Sequence, residues 1–387
     1  MIKDLRVRPI LNSRADWGIE LELKTTDWHG ASVPAGKSRG KHEAVQLSSD
    51  ESVKLAAQLK SKLVHKKFND QASFDKFLVS IAGKNKEKLG VDLVLASSIA
   101  FLRSQPKPVW KHLAELSKTS PAMPTPMLNI LNGGLHAGNK LAVQEFMIVP
   151  IKGSFKDKLA DAVQVYHTLG EIIKKKYRST ATAVGDEGGF APPINSTQDA
   201  LELIEQAMDE AGLAARTELA LDFAASNFFS NNQYSIDGWK LSKEDYLDYV
   251  LGMIKDHSIM FVEDPLHEED FDGFAELTKR CKAQIIGDDL LVTNPSRLDK
   301  AIKEKAGNTI LIKPNQIGTV TETLQTIQLA KKAGWNYVVS HRSGETCDAF
   351  IADLAVGTAA PYIKTGAPCR GERTAKYNRL LKISEEL

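Results

Sequence analysis

Cysteine is scarce in this chain: Cys281, Cys347 and Cys369 are the only three in 387 residues, and no two form a CxxC spacing. Such an odd, scattered set builds neither a disulfide framework nor a zinc knuckle and fits a reducing compartment. An excess of charge is missing too. Fifty Lys and Arg face 49 Asp and Glu, a formal net charge of +1, so there is no general pull toward nucleic acid or an anionic membrane. No apolar run approaches the ~18 residues of a membrane span. The opening "MIKDLRVRPILNSRADW" has no apolar segment of the signal-peptide kind, so a cytoplasmic location is expected. Short-period repeats and low-complexity tracts are also absent. What is present is ordinary for a soluble chain, 42% hydrophobic and 26% charged residues. That is enough for one large α/β barrel with a small domain, or for two to three ordinary domains.

The stretch "HGASVPAGKSRGKHEA" ends its Gly36-Lys37-Ser38 like a P-loop. A P-loop needs a glycine five residues before Gly36, and Ala31 stands there. Pro34 also removes a backbone donor from the cradle. The nucleotide reading therefore fails on spacing.

Residues 3–35 alternate as "LRVRPIL", "GIELELKT" and "GASVPA", the pattern of an antiparallel meander. Helical periodicity follows in "EAVQLSSDESVKLAAQLKSKLV", "SFDKFLVSIA" and "VDLVLASSIAFL". "SKTSPAMPTPM" then reads as a linker. The expected division is a first part over 1–120 and a second over 125–387. Beyond the linker, short β-rich runs each close on a polar residue: Asp222, Glu263, Asp288, Lys313, His341 and Lys364, separated by 41, 25, 25, 28 and 23 residues. Four of these gaps suit one strand plus one helix. The 41 leaves room for an extra "NNQYSIDGW" loop. In a (β/α)₈ barrel the C-terminal strand ends share one mouth, where chemistry sits. The competing reading is six strand-end polar residues, each solvated alone.

Asp222, Glu263 and Asp288 are three hard oxygen donors, the type Mg²⁺ prefers. Lys313 lies on the next strand; cations around it are expected to lower its pKa and make it a general base. Glu187 sits in "VGDEGGF" among glycines, where backbone can approach a ligand closely; an acidic turn is the plainer reading. "GGLHAGNKLAVQEF" holds His136, Gln144 and Glu145. The last two are adjacent, so on a regular strand only one faces the mouth unless a bulge intervenes. His136 is open to a purely structural reading, although its glycine-rich loop favours contact with substrate. Metal-assisted proton abstraction beside a carboxylate is the chemistry this set implies.

"GGLHAGNKLAVQEFMIVP", "VGDEGGFAPP", "LALDFAAS", "FVEDPL", "IIGDDLLVTNP", "LIKPNQIGT", "VVSHRSGET" and "IKTGAPCRGERTAKYNRLL" together resemble the enolase family, nearly continuously from about residue 125 to the C-terminus. "LNSR" and "VPAGKSRGKHEA" extend the likeness more weakly into the first 117 residues. The resemblance implies an N-terminal α+β cap on a (β/α)₈-like barrel whose first strands depart from simple alternation, and usually a homodimer. It implies reversible dehydration of 2-phosphoglycerate to phosphoenolpyruvate in glycolysis. On that likeness Asp222, Glu263 and Asp288 hold the first Mg²⁺, and Lys313 takes the C2 proton. Glu187, assisted by Glu145, helps the C3 hydroxyl leave. His341, Arg342, Ser343, Lys364, His136 and Gln144 contact substrate, with Arg342 and Ser343 suited to the phosphate. Ser38 falls where the family's loop ligates a second Mg²⁺.

The loop "PAGKSRG" departs from the family's usual "PSGAS-TG" at Ala35, Lys37 and Arg39. "LNSRADWG" stands for "LDSRGNPT", Leu135 replaces a small residue, and the segment after the loop is shortened. These changes bear on closure, the second metal and the dimer contact. An extended loop puts Lys37, Arg39 and Lys41 on one side, in solvent; an inward Lys37 attracts phosphate and repels the second metal. Two other readings stand beside the first. One is a relative in the same superfamily acting on another carboxylate acid. The other is a paralogue impaired in catalysis and serving as a binding or structural protein.

Overall fold

The structure is a computed structural model that describes residues 1–37 and 40–387. Three strands open the chain, β1 (Asp4–Leu11), β2 (Trp17–Lys24) and β3 (Trp28–Ser32), joined as the expected antiparallel meander in the order β1-β2-β3. Ile19, Leu21 and Leu23 of β2 are buried on one face, the alternation that made this segment legible. Four helices follow: α1 (Ser49–Leu63), α2 (Gln71–Ala82), α3 (Val91–Arg103) and α4 (Val109–Ser117). The helical pattern from Glu43 begins in fact at Ser49, because Ser48 and Glu51 exchange hydrogen bonds as a capping box and fix the start. Asp70 and Ser73 do the same for α2. Helix α3 is buried from Val91 to Leu102 and lies against β2 and β3, as an all-round apolar helix must.

The second part alternates strands and helices: β4 (Thr125–Asn132), β5 (Glu145–Pro150), α5 (Phe155–Tyr177), α6 (Thr197–Glu210) and β6 (Thr217–Asp222). The "NNQYSIDGW" insertion is a small antiparallel sheet rather than a loop, built from β7 (Phe229–Ser230), β8 (Gln233–Ile236) and β9 (Trp239–Leu241). Then come α7 (Lys243–Asp256), β10 (Ile259–Glu263), α8 (Phe271–Arg280), β11 (Gln284–Gly287), α9 (Pro295–Glu304), β12 (Thr309–Ile312), α10 (Pro314–Ile317) and α11 (Val320–Lys332). The chain ends with β13 (Asn336–Ser340), α12 (Phe350–Gly357), β14 (Tyr362–Lys364) and α13 (Gly371–Ser384). Among the described residues no helix is long and apolar enough to cross a membrane.

Eight strands close into a barrel in the order β10-β11-β12-β13-β14-β4-β5-β6. Strand β5 alone runs antiparallel to its neighbours β4 and β6. The barrel interior is filled by Met127, Met147, Val149, Ala220, Phe261, Ile286, Leu311 and Val338, so it is a packed core and not a pore. Side chains two apart on a strand share a face. Two residues beyond Ala220, Phe261, Ile286 and Leu311 stand Asp222, Glu263, Asp288 and Lys313, which the same alternation carries to the mouth.

Candidate functional site at the barrel mouth

The strand-end residues do meet. Asp222, Asp288, Lys313, His341, Arg342, Ser343 and Lys364 line one narrow cavity of about 20 Å³, together with Gly36, His136, Gln144, Glu145 and Glu187. Glu145 reaches it because β5 is reversed: its first residue, paired with Asp222, is the one at the mouth. Gln144 and Glu145 both line the cavity, the case the sequence allowed only with a break in the regular strand. Gln144 precedes the strand, its N–H bonded to the Asp222 carbonyl at 3.0 Å, and the β4–β5 register shifts between Asn129 and Leu131. Ser38 lies outside the described residues.

Lys364 Nζ lies 3.1 Å from Glu145 Oε2, 3.1 Å from Asp222 Oδ2 and 2.8 Å from Glu263 Oε2. Burial opposes its charge, yet Asp222, Glu145 and Glu263 raise its pKa well above the usual value. Lys313 is ion-paired with Asp288, whose other oxygen accepts from Gln316 Nε2 at 3.1 Å. The expected lowering of the Lys313 pKa does not occur here. Burial, Arg342 and Lys364 push it down, but the neighbouring carboxylates, Asp288 foremost and Glu263 with it, raise it.

Asp222, Glu263 and Asp288 occupy neighbouring strand ends without drawing their oxygens into one tight group. Among the described residues, two other sets place donor atoms within 4.8 Å of one another: His136, Glu145 and Glu187, and Asp264, Asp288 and Asp289. The physical reason is the lysines, which hold Asp222 and Glu263 to one ammonium and Asp288 to another. The donor chemistry nevertheless fits a hard divalent cation. Six carboxylates line the cavity (Glu145, Glu187, Asp222, Asp264, Asp288 and Asp289) against three cations, Lys313, Arg342 and Lys364. Glu263 Oε1, fully buried beside them, has no hydrogen-bond partner among the described residues. Burial and neighbouring carboxylates raise the pKa of Glu145, Glu263 and Asp264, and that of Asp289 to about 7.

Across the mouth, Glu187 is held by its neighbours. Asn129 Nδ2 donates to its Oε2 at 3.0 Å, His136 Nδ1 lies 3.5 Å from Oε1, and His341 Nε2 lies 3.4 Å from Oε2. Burial works against its charge, but His341, His136 and Arg373 lower its pKa well below the usual range. Burial drives His341 down to about 3, so the ring is neutral. Arg373 Nη1, which can only donate, contacts His341 Nδ1 at 2.6 Å. The ring proton is thereby placed on Nε2, toward Glu187. The Arg342 fork grips Glu43 at 3.0 Å through both nitrogens and Asn315 Oδ1 at 3.1 Å.

Residues 120–387 match the family described as "Enolase, C-terminal TIM barrel domain", and residues 2–113 match "Enolase, N-terminal domain". The whole chain aligns with "Enolase" of Methanocaldococcus jannaschii at 42% identity, with "Enolase 2" of Hevea brasiliensis at 42% and with "Enolase" of Elusimicrobium minutum at 44%. It covers 95%, 95% and 96% of those proteins. The chain belongs to the enolase family.

Within the enolase frame, four residues at the mouth escaped the reading of the sequence. Asp264 accepts the backbone N–H groups of Asp288 and Asp289 at 2.9 and 2.6 Å, fixing the end of β11. Arg373, wholly buried at the start of α13, joins His341, the Arg342 and Ser343 carbonyls and the Asp186 carbonyl. Asn129 steadies Glu187, and Asp289 stands beside Asp288. The second acids in "VEDP" and "IGDDL" were a visible signal for Asp264 and Asp289. Arg373 and Asn129 carried none, since their role depends on a fold contact.

Proposed function

We propose that this enolase-family chain is the Mg²⁺-dependent phosphopyruvate hydratase of glycolysis and gluconeogenesis, interconverting 2-phosphoglycerate with phosphoenolpyruvate and water. The observation that carries the reading is the arrangement around the ring. Lys313 follows β12 and Glu145 opens β5, four strands away in an eight-stranded barrel. An amine and a carboxyl pair therefore face each other across a mouth rich in carboxylates. That layout suits an elimination in which a proton leaves one side of the substrate and hydroxide leaves the other.

In this reading Asp222, Glu263 and Asp288 hold the first Mg²⁺, and Ser38 contributes to a second. The metal, when bound, supplies positive charge against which the substrate carboxylate takes up electrons. Lys313 accepts the C2 proton. For that it must lose Asp288, which is assigned to the metal; Arg342 and Lys364 then remain to disfavour its charge. The C2–H electrons become the C2–C3 double bond, and the C3–O bond breaks as the hydroxyl takes a proton from the Glu145–Glu187 pair. Burial and the Glu187 charge make Glu145 the member that holds a proton. His341, Arg342 and Ser343 address the phosphate, Lys364 neutralises the carboxylate end, and His136 and Gln144 line the cavity. A homodimer in the cytoplasm, with the cap over 1–120 and the barrel over 125–387, completes the proposal.

The test is the ultraviolet absorbance of the enol phosphate formed from 2-phosphoglycerate. Turnover is expected with Mg²⁺ and is expected to vanish in a chelator. Folded wild-type protein without turnover refutes the hydratase reading in favour of an impaired paralogue. Lys313→Ala is expected to lose at least 10³-fold in kcat with an unchanged circular dichroism spectrum. Retained turnover means that Lys313 is not the base.

A further inference from the structure

The buried face of α13 carries two full cations among its apolar residues. Arg373 and Lys376, one helical turn apart, are buried there with Tyr377, Leu380 and Ile383. A cation in such a place costs stability unless its donors are paired. Most of theirs go to one short segment, residues 342–346, which follows β13. Arg373 Nη1 and Nη2 donate to the Arg342 and Ser343 carbonyls, each at 2.7 Å. Lys376 Nζ donates to Glu345 Oε2 at 2.7 Å and to the Thr346 carbonyl at 2.5 Å. Its third bond goes to the Glu372 carbonyl of its own helix at 2.8 Å.

Glu345 is buried as well, and its carboxylate reaches both ends of the turn. Oε1 accepts the Arg342 N–H at 3.2 Å, and Oε2 accepts the Thr346 N–H at 3.1 Å. Ser13 joins from the cap. Its N–H donates to the Glu345 carbonyl at 2.8 Å, and its hydroxyl donates to the Ser343 carbonyl at 3.3 Å and accepts the Glu345 N–H at 3.1 Å. The Arg342 guanidinium has other partners, Glu43 and Asn315. Its main chain is thus set by Glu345, and Glu345 is set by Lys376. A buried ion pair adds little net stability over an apolar pair of the same volume. What an apolar pair does not supply is a carboxylate fixed against two N–H groups of one turn.

We propose that Lys376 and Glu345 are positioning residues for the phosphate end of the substrate, setting the main chain that presents Arg342 and Ser343. The proposal rests on the hydratase reading, which assigns Arg342 and Ser343 to the phosphate. The phosphate does not react, so its contacts hold equally before and during the chemical step. Losing them raises KM and leaves kcat unchanged. A pair that only supports the fold behaves otherwise: its loss lowers the folded fraction, and with it the apparent kcat, at an unaltered KM.

The experiment measures kcat and KM for 2-phosphoglycerate, and Ki for inorganic phosphate as a competitive inhibitor, in the full-length protein. Wild type is compared with Lys376→Met and with a double variant carrying Glu345→Gln and Lys376→Met. The double variant strands no buried charge and serves where Lys376→Met does not fold; circular dichroism and melting temperature register folding. In either variant KM is expected to rise about tenfold, the worth of one hydrogen bond to a charged group. Ki for inorganic phosphate is expected to rise by the same factor, with kcat within about threefold. An unchanged KM in a folded variant overturns the proposal, whatever happens to kcat or melting temperature. A raised KM with an unchanged Ki overturns it too, because the defect then lies away from the phosphate. Absent turnover in the wild type overturns only the hydratase reading; calorimetric binding of inorganic phosphate, expected to weaken about tenfold in the variants, then decides the positioning role.

Discussion

Lys364 concentrates the electrostatics of this mouth in one side chain. Its ammonium meets carboxylates from β5, β6 and β10 at 2.8 to 3.1 Å and is itself buried. Removing one partner of a buried ion cluster strands the others, typically at a cost of ~3–5 kcal/mol. Lys364→Met is therefore expected to lose about that much stability at pH 8 without metal. The loss is expected to shrink as pH falls, because burial and neighbouring carboxylates favour the protonated forms of Glu145 and Glu263, and a neutral acid is not stranded when the ammonium is removed. Urea unfolding at pH 8 and at a lower pH checks this; equal stability to wild type at both contradicts it. At this scale much of the site was legible. An apolar residue followed two positions later by an ionisable one recurs as "ALD", "FVE", "IGD", "LIK" and "YIK", the period-two signature of a strand with its end in a mouth. The charge state of Lys313 was not legible, since it depends on which carboxylate the fold sets beside it.

Among the elements, β5 shows what the pattern contained unused. Its mouth residue comes first and its core residue second, as "EFM", the reverse of the other strands. That order marks an antiparallel strand and accounts for Glu145 at the mouth. The junction of α2, α3 and α11 makes a testable element of another kind. Asp75 on α2, wholly buried, accepts from Gln71 and Ser98 through Oδ1 and from the Thr321 N–H and hydroxyl through Oδ2. Burial outweighs those four bonds and raises its pKa from the ordinary 3.8 to about 6. The folded state therefore favours the protonated acid. Its contribution is fully present below pH ~4 and is lost as pH rises to ~6, on the order of 3 kcal/mol. Asp75→Asn removes that titration. The stability difference between variant and wild type is expected to shift in the variant's favour across pH 4 to 6, and curves that stay parallel in urea unfolding refute it.

For the molecule as a whole, the two parts are bound by interactions of long sequence separation. Arg103 at the end of α3 holds Asp348, beyond β13, through two bonds of 2.7 and 2.6 Å and also the Gly30 carbonyl. The surplus of carboxylates over cations at the mouth is a property of the closed ring and predicts a metal effect on global stability. Mg²⁺ at ~100 times its Kd is expected to stabilise the fold by ~3 kcal/mol, read as a rise in melting temperature that a chelator reverses. Glu263→Gln is expected to diminish the Mg²⁺ shift. An undiminished shift places the metal elsewhere.

Composition, alternation and spacing alone determined the class of this protein. Those quantities are local: alternation and spacing pointed to strands and helices whose polar strand ends can share a barrel mouth, and the cap was implied by the family resemblance. Family membership was legible in the same way, from long motifs in order. Tertiary structure decided which charges touch: that Lys364 and Lys313 divide the carboxylates between them, that Arg373 sets the His341 tautomer, and that Lys37 pairs with Asp186 and Lys376 with Glu345. Ionisation and hydrogen bonding depend on distances of a few ångströms between residues hundreds of positions apart, and only the closed fold sets those distances.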